Sequence, residues 1–164
     1  MMFPSMIALT VMAAAPKPFA HVIHSREPSY LPDEAASKVV TVTKGAVPAD
    51  AAVALVSEAV AIKETGPKKT VRRFGEVYTF SPAFIAVQRD QPTAFTFWNL
   101  QPDDDHDFML VDPNLNVLMK VDLPALQETS YVLTFHHEGL FNFYCTMHQP
   151  VMSGQILVLP PAGQ

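Results

Sequence analysis

The last third of the chain contains Tyr144-Cys145-Thr146-Met147-His148-Gln149-Pro150-Val151-Met152, which lies between two runs with the alternating pattern of β-strands. Cys145 is the only cysteine in the sequence, so it cannot form an internal disulfide. The Cys145 thiolate, the His148 imidazole and the Met152 thioether are a soft, a borderline and a weak metal ligand. One more imidazole would complete a trigonal His₂Cys site with a long axial Met. The stretch therefore predicts a site for a single copper ion.

The missing imidazole is expected from His106, which begins the strand-like run His106-Asp107-Phe108-Met109-Leu110-Val111. The adjacent pair His136 and His137 is the alternative, but a Glu-Gly turn follows it, which favours a solvated position. Met147 is the competing thioether, and we expect it to face outward from the loop. The predicted metal ligands are therefore His106, Cys145, His148 and Met152.

The second half of the chain has the pattern of a β-sandwich. Alternating apolar residues form short runs, and turn signals separate them about every 8–12 residues, as in sandwich domains. In Thr93-Ala94-Phe95-Thr96-Phe97-Trp98-Asn99-Leu100 we expect Phe95 and Phe97 on one face and Thr96 and Trp98 on the other. The further predicted strands are Val77–Phe80, Ala83–Val87, His106–Val111, Leu118–Val121, Ser130–Phe135, Leu140–Cys145 and Gln155–Leu159.

The first seventy residues are less regular. Met1 to Ala15 carry no charge and are mostly apolar, too short for a membrane span of about 20 residues but suited to a secretory signal. We therefore predict a signal peptide over 1–20, an exported or periplasmic location and no stable membrane insertion after cleavage. Within 21–70, Lys38–Thr43 alternates like a strand, Ala49–Glu64 fits either a helix or a strand, and 66–69 reads as a linker.

Two histidines lie just beyond the predicted signal. If cleavage follows Ala20, His21 would carry a free α-amine beside its imidazole, a pair that can chelate copper, and His24 lies close by. The role of 21–70 stays open between extra strands, a linker and a docking arm.

Composition limits the class of partner. The 164-residue chain has a formal net charge of −5 and only 16% charged residues. Nucleic-acid binding would require a basic stripe, so it is not expected. The acidic run Asp103-Asp104-Asp105 precedes His106, so a redox partner with a basic docking surface is expected instead.

The segment 71–161 resembles the cupredoxins, the blue copper fold of plastocyanin, amicyanin and azurin. The resemblance rests on features that follow one another in the chain: Phe80–Val87, Phe95–Leu100, His106, Leu126–Phe135, and Gly139–Gly154 with Cys145, His148 and Met152. It implies a Greek-key β-sandwich with an irregular N-terminal extension, a type 1 copper ion on the four predicted ligands, and single-electron transfer rather than catalysis.

The segment from Asn99 to His106 is also similar to the copper domains of cytochrome oxidase subunit II and nitrous oxide reductase. Those domains hold two coppers between cysteines spaced four residues apart, and the residue four beyond Cys145 is Gln149. A binuclear thiolate-bridged site is therefore excluded. A copper storage or delivery protein with the same ligands and no redox turnover is the alternative function.

Overall fold

The structure is a computed structural model that describes residues 29–45 and 47–163. The predicted signal peptide over 1–20, and His21 and His24, lie outside the described residues. The strands are β1 (Val40–Lys44), β2 (Ala51–Ala61), β3 (Val77–Ser81), β4 (Phe84–Gln88), β5 (Thr93–Asn99), β6 (His106–Val111), β7 (Val117–Leu123), β8 (Glu128–Phe135), β9 (Gly139–Tyr144) and β10 (Ser153–Leu159), with helix α1 (Lys68–Phe74) and a 3₁₀ helix (Ala36–Lys38).

The strands form two five-stranded sheets, with the orders β1-β8-β5-β2-β3 and β4-β10-β9-β6-β7. Both sheets are mixed, because β2 pairs with β5 and β10 pairs with β4 in parallel, whereas the other pairs are antiparallel. One continuous apolar core fills the space between the sheets. The predicted all-β sandwich is confirmed.

The side chains of β5 alternate between core and surface as its sequence predicts. Phe95 and Phe97 are buried, whereas Trp98 is exposed on the other face. Asn99 also points inward, and its side-chain amide donates hydrogen bonds to the carbonyls of Asp104 and Leu123 at 2.8 and 2.9 Å. Asn99 thereby fixes the loop that leads into β6.

Strands β1 and β2 belong to the sandwich, although the sequence pattern assigns them to an extension of uncertain structure. The predicted strand at Lys38–Thr43 corresponds to β1, which pairs along its whole length with β8. The Ala/Val-rich stretch that left helix and strand open is β2. It lies between β5 and β3, so both of its edges are hydrogen-bonded. Pairing on both edges outweighs the helix propensity of its alanines.

The predicted linker at 66–69 overlaps a helix, because Lys68 and Lys69 are the first two residues of α1. Pro67 precedes α1, and Gly75 ends it with a φ of 81°, donating its backbone N–H to the Val71 carbonyl at 2.9 Å. Glycine adopts a positive φ of this kind without the steric cost that a side chain would add. Among the described helices, none has both the length and the apolar character needed to cross a membrane.

The core beneath the predicted metal site is aromatic. The Phe108 ring lies 4.7 Å from Phe97, 5.1 Å from Phe143 and 6.0 Å from Phe80, measured between centroids. Phe97 and Phe80 come from one sheet and Phe108 and Phe143 from the other. Phe108 therefore joins the two layers two residues after His106.

Replacing Phe108 with alanine is expected to lower the free energy of unfolding by about 3–5 kcal/mol, because a fully buried ring is lost and a cavity remains. Urea unfolding of the metal-free protein measures this as a lower midpoint with an unchanged slope. Phe84→Ala is the control, since Phe84 is 57% exposed. An equal loss of stability in both variants would contradict the assigned core.

Candidate metal centre

The four predicted ligands meet at one end of the sandwich. His106 is the first residue of β6, Cys145 directly follows β9, and Met152 directly precedes β10, with His148 in the loop between them. The Cys145 backbone N–H donates to the Met152 carbonyl at 2.9 Å, and the Met152 N–H donates to the His148 carbonyl at 3.1 Å. These hydrogen bonds close the loop from Cys145 to Met152. The pairing of β6 with β9 brings His106, which is distant in sequence, to the same place.

Three of the predicted ligand atoms form a compact triangle. The Cys145 Sγ lies 3.9 Å from His106 Nδ1 and 3.6 Å from His148 Nδ1, and the two Nδ1 atoms are 3.1 Å apart. The point equidistant from these atoms is about 2.1 Å from each, which matches metal–imidazole distances and is slightly short for a metal–thiolate bond. The triangle can therefore hold one metal ion of first-row size.

The backbone hydrogen bonds of Met152 place this residue beside the other predicted ligands. Met152 is fully buried and belongs to the same core cluster as Cys145. Met147, the competing thioether, is expected to face outward, but this expectation is wrong. Met147 is half-buried and packs against the hydrophobic core.

Burial sets the protonation of the metal-free ligands. Burial, and then the neighbouring His148, lower the pKa of His106 to about 4, so its imidazole is neutral near physiological pH. Burial, and then the charge of Asp107, raise the pKa of the Cys145 thiol to about 12. A bound cation would have to displace the thiol proton, as thiolate coordination generally requires.

Tyr78 on β3 is a part of the site that sequence reasoning missed. Its buried ring lies 4.9 Å from the His106 ring and 4.6 Å from the His148 ring, and its hydroxyl donates to a carboxylate oxygen of Asp104. Burial, and then this hydrogen bond, raise the pKa of Tyr78 well above its usual range. Tyr78 thus packs against both imidazoles, of which His106 is fully buried and His148 is partly accessible. Alternation along β3 predicts an inward side chain, but not which residues it meets.

Asp107 and Thr146 are also part of the candidate metal site, although the sequence does not reveal this. Each directly follows a predicted ligand, His106 and Cys145 respectively. Asp107 Oδ1 accepts the Thr146 backbone N–H at 2.6 Å, and Oδ2 accepts the Thr146 hydroxyl. These bonds connect β6 to the loop after β9 beside the triangle.

His136, one of the two alternative histidines, has other contacts. His136 Nδ1 lies 2.9 Å from Asp90 Oδ1, and its Nε2 lies 2.8 Å from Thr41 Oγ1, after the end of β8. Within 29–45 and 47–163, His106, Cys145 and His148 are the group of His, Cys and acidic residues whose ligand atoms lie close enough to share a metal ion. Gln149, where a second bridging cysteine would be needed, is exposed.

Neither a protein-family model nor a curated protein sequence matches this chain. Solved structures do resemble it. Auracyanin B aligns at 12% identity over 75% of this chain and 99% of its own, with a TM-score of 0.54. An auracyanin from the photosynthetic bacterium Roseiflexus castenholzii aligns at 13% identity over 69% of this chain and 100% of its own, with a TM-score of 0.50.

A multicopper oxidase aligns at 14% identity over 70% of this chain, with a TM-score of 0.52. The aligned part is 46% of that chain, so the present chain corresponds to about half of the oxidase. At 12–14% identity, the similarity between this chain and the solved structures shows the fold alone. The cupredoxin β-sandwich predicted from the sequence is confirmed.

Proposed function

We propose that this cupredoxin-fold chain is an exported type 1 copper protein that carries single electrons between redox partners. The observation that carries the proposal is the buried triangle of one thiol sulfur and two imidazole nitrogens, with edges of 3.1, 3.6 and 3.9 Å. A copper ion on His106, Cys145 and His148, with Met152 as the weak axial ligand, would supply the one-electron chemistry.

The donor set supports copper over other common metals. A thiolate and two imidazoles in a trigonal arrangement, with a thioether beside them, satisfy neither the cuprous nor the cupric preference fully. Calcium and magnesium prefer oxygen ligands, which this triangle lacks. Because β6 and the hydrogen-bonded loop hold the ligands, little has to rearrange when an electron arrives or leaves.

The surroundings of the site support electron transfer rather than catalysis. His106 and Cys145 are fully buried, whereas His148 is partly accessible, so its ring edge offers the electron a route to the surface. Pro150 and Val151 are exposed in the same loop and would contact a partner there. The Tyr78 ring packs against both imidazoles, which limits the room for a substrate beside them.

The charge distribution supports a basic redox partner. Asp103 and Asp105 are exposed in the loop that enters β6, and the chain has a formal net charge of −5. A positively charged docking surface would be steered toward this loop. We also infer export from the uncharged apolar composition of Met1 to Ala15.

The deciding experiment is the optical and electron paramagnetic spectrum of the copper-loaded protein. An intense thiolate-to-copper absorption and reversible one-electron reduction are the expected results. Rapid loss of copper to a chelator, without such a band, would indicate the storage or delivery function instead. Turnover of oxygen, nitrite or nitric oxide by the purified protein would contradict the non-enzymatic assignment.

Met152→Leu tests the axial ligand. The substitution preserves volume and apolarity but removes the sulfur, so the thiolate band is expected to persist while the reduction potential rises, because the cupric state loses a donor. A tenfold change in the redox equilibrium corresponds to about 59 mV. Protein-film voltammetry measures the shift, and Met147→Leu is the matched control. An unchanged potential in Met152→Leu would remove Met152 from the site.

A further inference from the structure

A buried carboxylate lies beside the metal site, and its contacts extend to both predicted ligand segments. Asp107 is 2% exposed and directly follows His106. Its two oxygens accept the backbone N–H and the hydroxyl of Thr146, the residue that directly follows Cys145. Any movement of the carboxylate would therefore move the backbone that carries the sulfur.

Lys120 on β7 supplies the opposite charge. Its Nζ lies 3.4 Å from Asp107 Oδ2, and the two side chains are only 6% and 3% exposed. A buried charge without compensation is strongly unfavourable, and this ion pair provides compensation. The Lys120 backbone is itself fixed, because it exchanges two hydrogen bonds of 2.7 Å with Tyr30. Asp122 lies opposite Asp107 in the β6–β7 register and accepts a hydrogen bond from Ser29 at 3.1 Å.

The charge of Asp107 lies close to the sulfur. Its oxygens are hydrogen-bonded to Thr146, the residue that directly follows Cys145, and Asp107 is buried. In such a poorly solvated environment the electric field of a carboxylate is only weakly screened. The same field would stabilise the more positive, oxidised state of a metal ion bound to that sulfur. Lys120 opposes this field from within the same buried cluster.

We propose that Lys120 tunes the reduction potential of the metal by cancelling the charge of Asp107, the buried carboxylate that holds Thr146 beside Cys145. The inference rests on the proposed function and identifies how this chain sets its potential. Within this arrangement, Thr146 transmits the position of Asp107 to the ligand, while the ion pair keeps a buried carboxylate from favouring the oxidised metal.

A double-mutant cycle tests the assignment. Lys120→Met leaves the carboxylate uncompensated and should favour the oxidised state on the order of tenfold, a fall in potential of about 59 mV. Asp107→Asn retains a carbonyl oxygen but removes the charge, so it should raise the potential. The double variant K120M/D107N should return close to wild type, and Lys120→Arg should preserve the wild-type value.

A double variant that keeps the potential of Lys120→Met, or unshifted potentials in both single variants, would overturn the proposal. Arg89→Met is the control, because it breaks an exposed ion pair of 2.8 Å between Arg89 and Glu138. Glu138 directly precedes β9, whereas Cys145 directly follows the other end of that strand. Its potential should match wild type. If Arg89→Met shifted the potential as much as Lys120→Met does, net charge alone, and not the buried pair, would control the potential.

The metal-free protein provides an independent measurement. Lys120→Met should lower the folding equilibrium constant at least tenfold, and K120M/D107N should recover most of that loss, since the Asp107 charge that lost its partner is then also removed. Absence of this coupling would also overturn the proposal. If wild type shows no thiolate band with copper, the proposed function fails, whereas normal wild-type spectra with unmoved variant potentials refute only the tuning role.

Discussion

Cys145→Ser is expected to eliminate the visible thiolate-to-copper band completely. The band requires sulfur bonded to copper, and a serine hydroxyl stays protonated near neutral pH, so it cannot replace the thiolate. Cys145 lies 3.6 and 3.9 Å from the two Nδ1 atoms and is the only sulfur of a cysteine in the chain. Titration of the purified variant with cupric ion, followed by absorption and paramagnetic spectra, measures the effect.

The loss must be separated from unfolding. A buried hydroxyl without a full set of partners costs about 1–3 kcal/mol, so the metal-free variant should remain folded with a moderately lower urea midpoint. Met147→Leu, two residues away in the same loop, is the matched control and should keep the band. A visible band of wild-type intensity in Cys145→Ser would refute the sulfur ligand and with it the proposed electron carrier.

The strands that carry strong alternation could be predicted from sequence, because a half-buried strand repeats every two residues. Phe95, Phe97 and Trp98 take the faces that this period requires. Strand β2 could not be assigned in the same way, since Ala and Val suit a helix and a buried strand alike. Its state depends on β3 and β5, its partners on either edge, which are distant from it in sequence.

The predicted ligands could be selected because their chemistry is rare and their spacing is local. A lone cysteine three residues before a histidine is informative, and the structure brings both side chains within reach of His106. Tyr78 and Lys120 carry no such signal. A tyrosine in an alternating run predicts only burial, and a lysine predicts exposure, yet Lys120 is 5% exposed. Their roles arise from sheet register, which joins segments separated by tens of residues.

The residues that surround the predicted ligands form two groups, and each group contacts a different part of the site. Tyr78, held by Asp104, packs against the imidazoles from β3, whereas Asp107 on β6 binds Thr146 next to the sulfur-bearing residue. The predicted ligands are thus held in place by the protein itself. Such preorganisation is what a rapid one-electron carrier needs, because reorganisation on electron transfer is then small.

His106→Ala is expected to weaken copper binding by more than the roughly 10–100-fold that follows loss of an outer-shell partner, because a direct ligand is removed. His106 is fully buried, so the shortened side chain leaves an open position that water can enter. The remaining copper should therefore show a changed paramagnetic spectrum. Competition with a chelator of known affinity, together with that spectrum, measures both effects.

His136→Ala is the matched control, because it removes an imidazole whose contacts are Asp90 and Thr41 rather than the sulfur. It should retain wild-type affinity and spectra. An unaltered spectrum in His106→Ala would instead transfer the ligand role to His136 or His137. That result would require a different triangle from the one His106 completes, since His106 Nδ1 lies 3.1 Å from its counterpart in His148. The contrast between the two variants therefore tests whether one imidazole from the start of β6 and one from the loop bind the same ion.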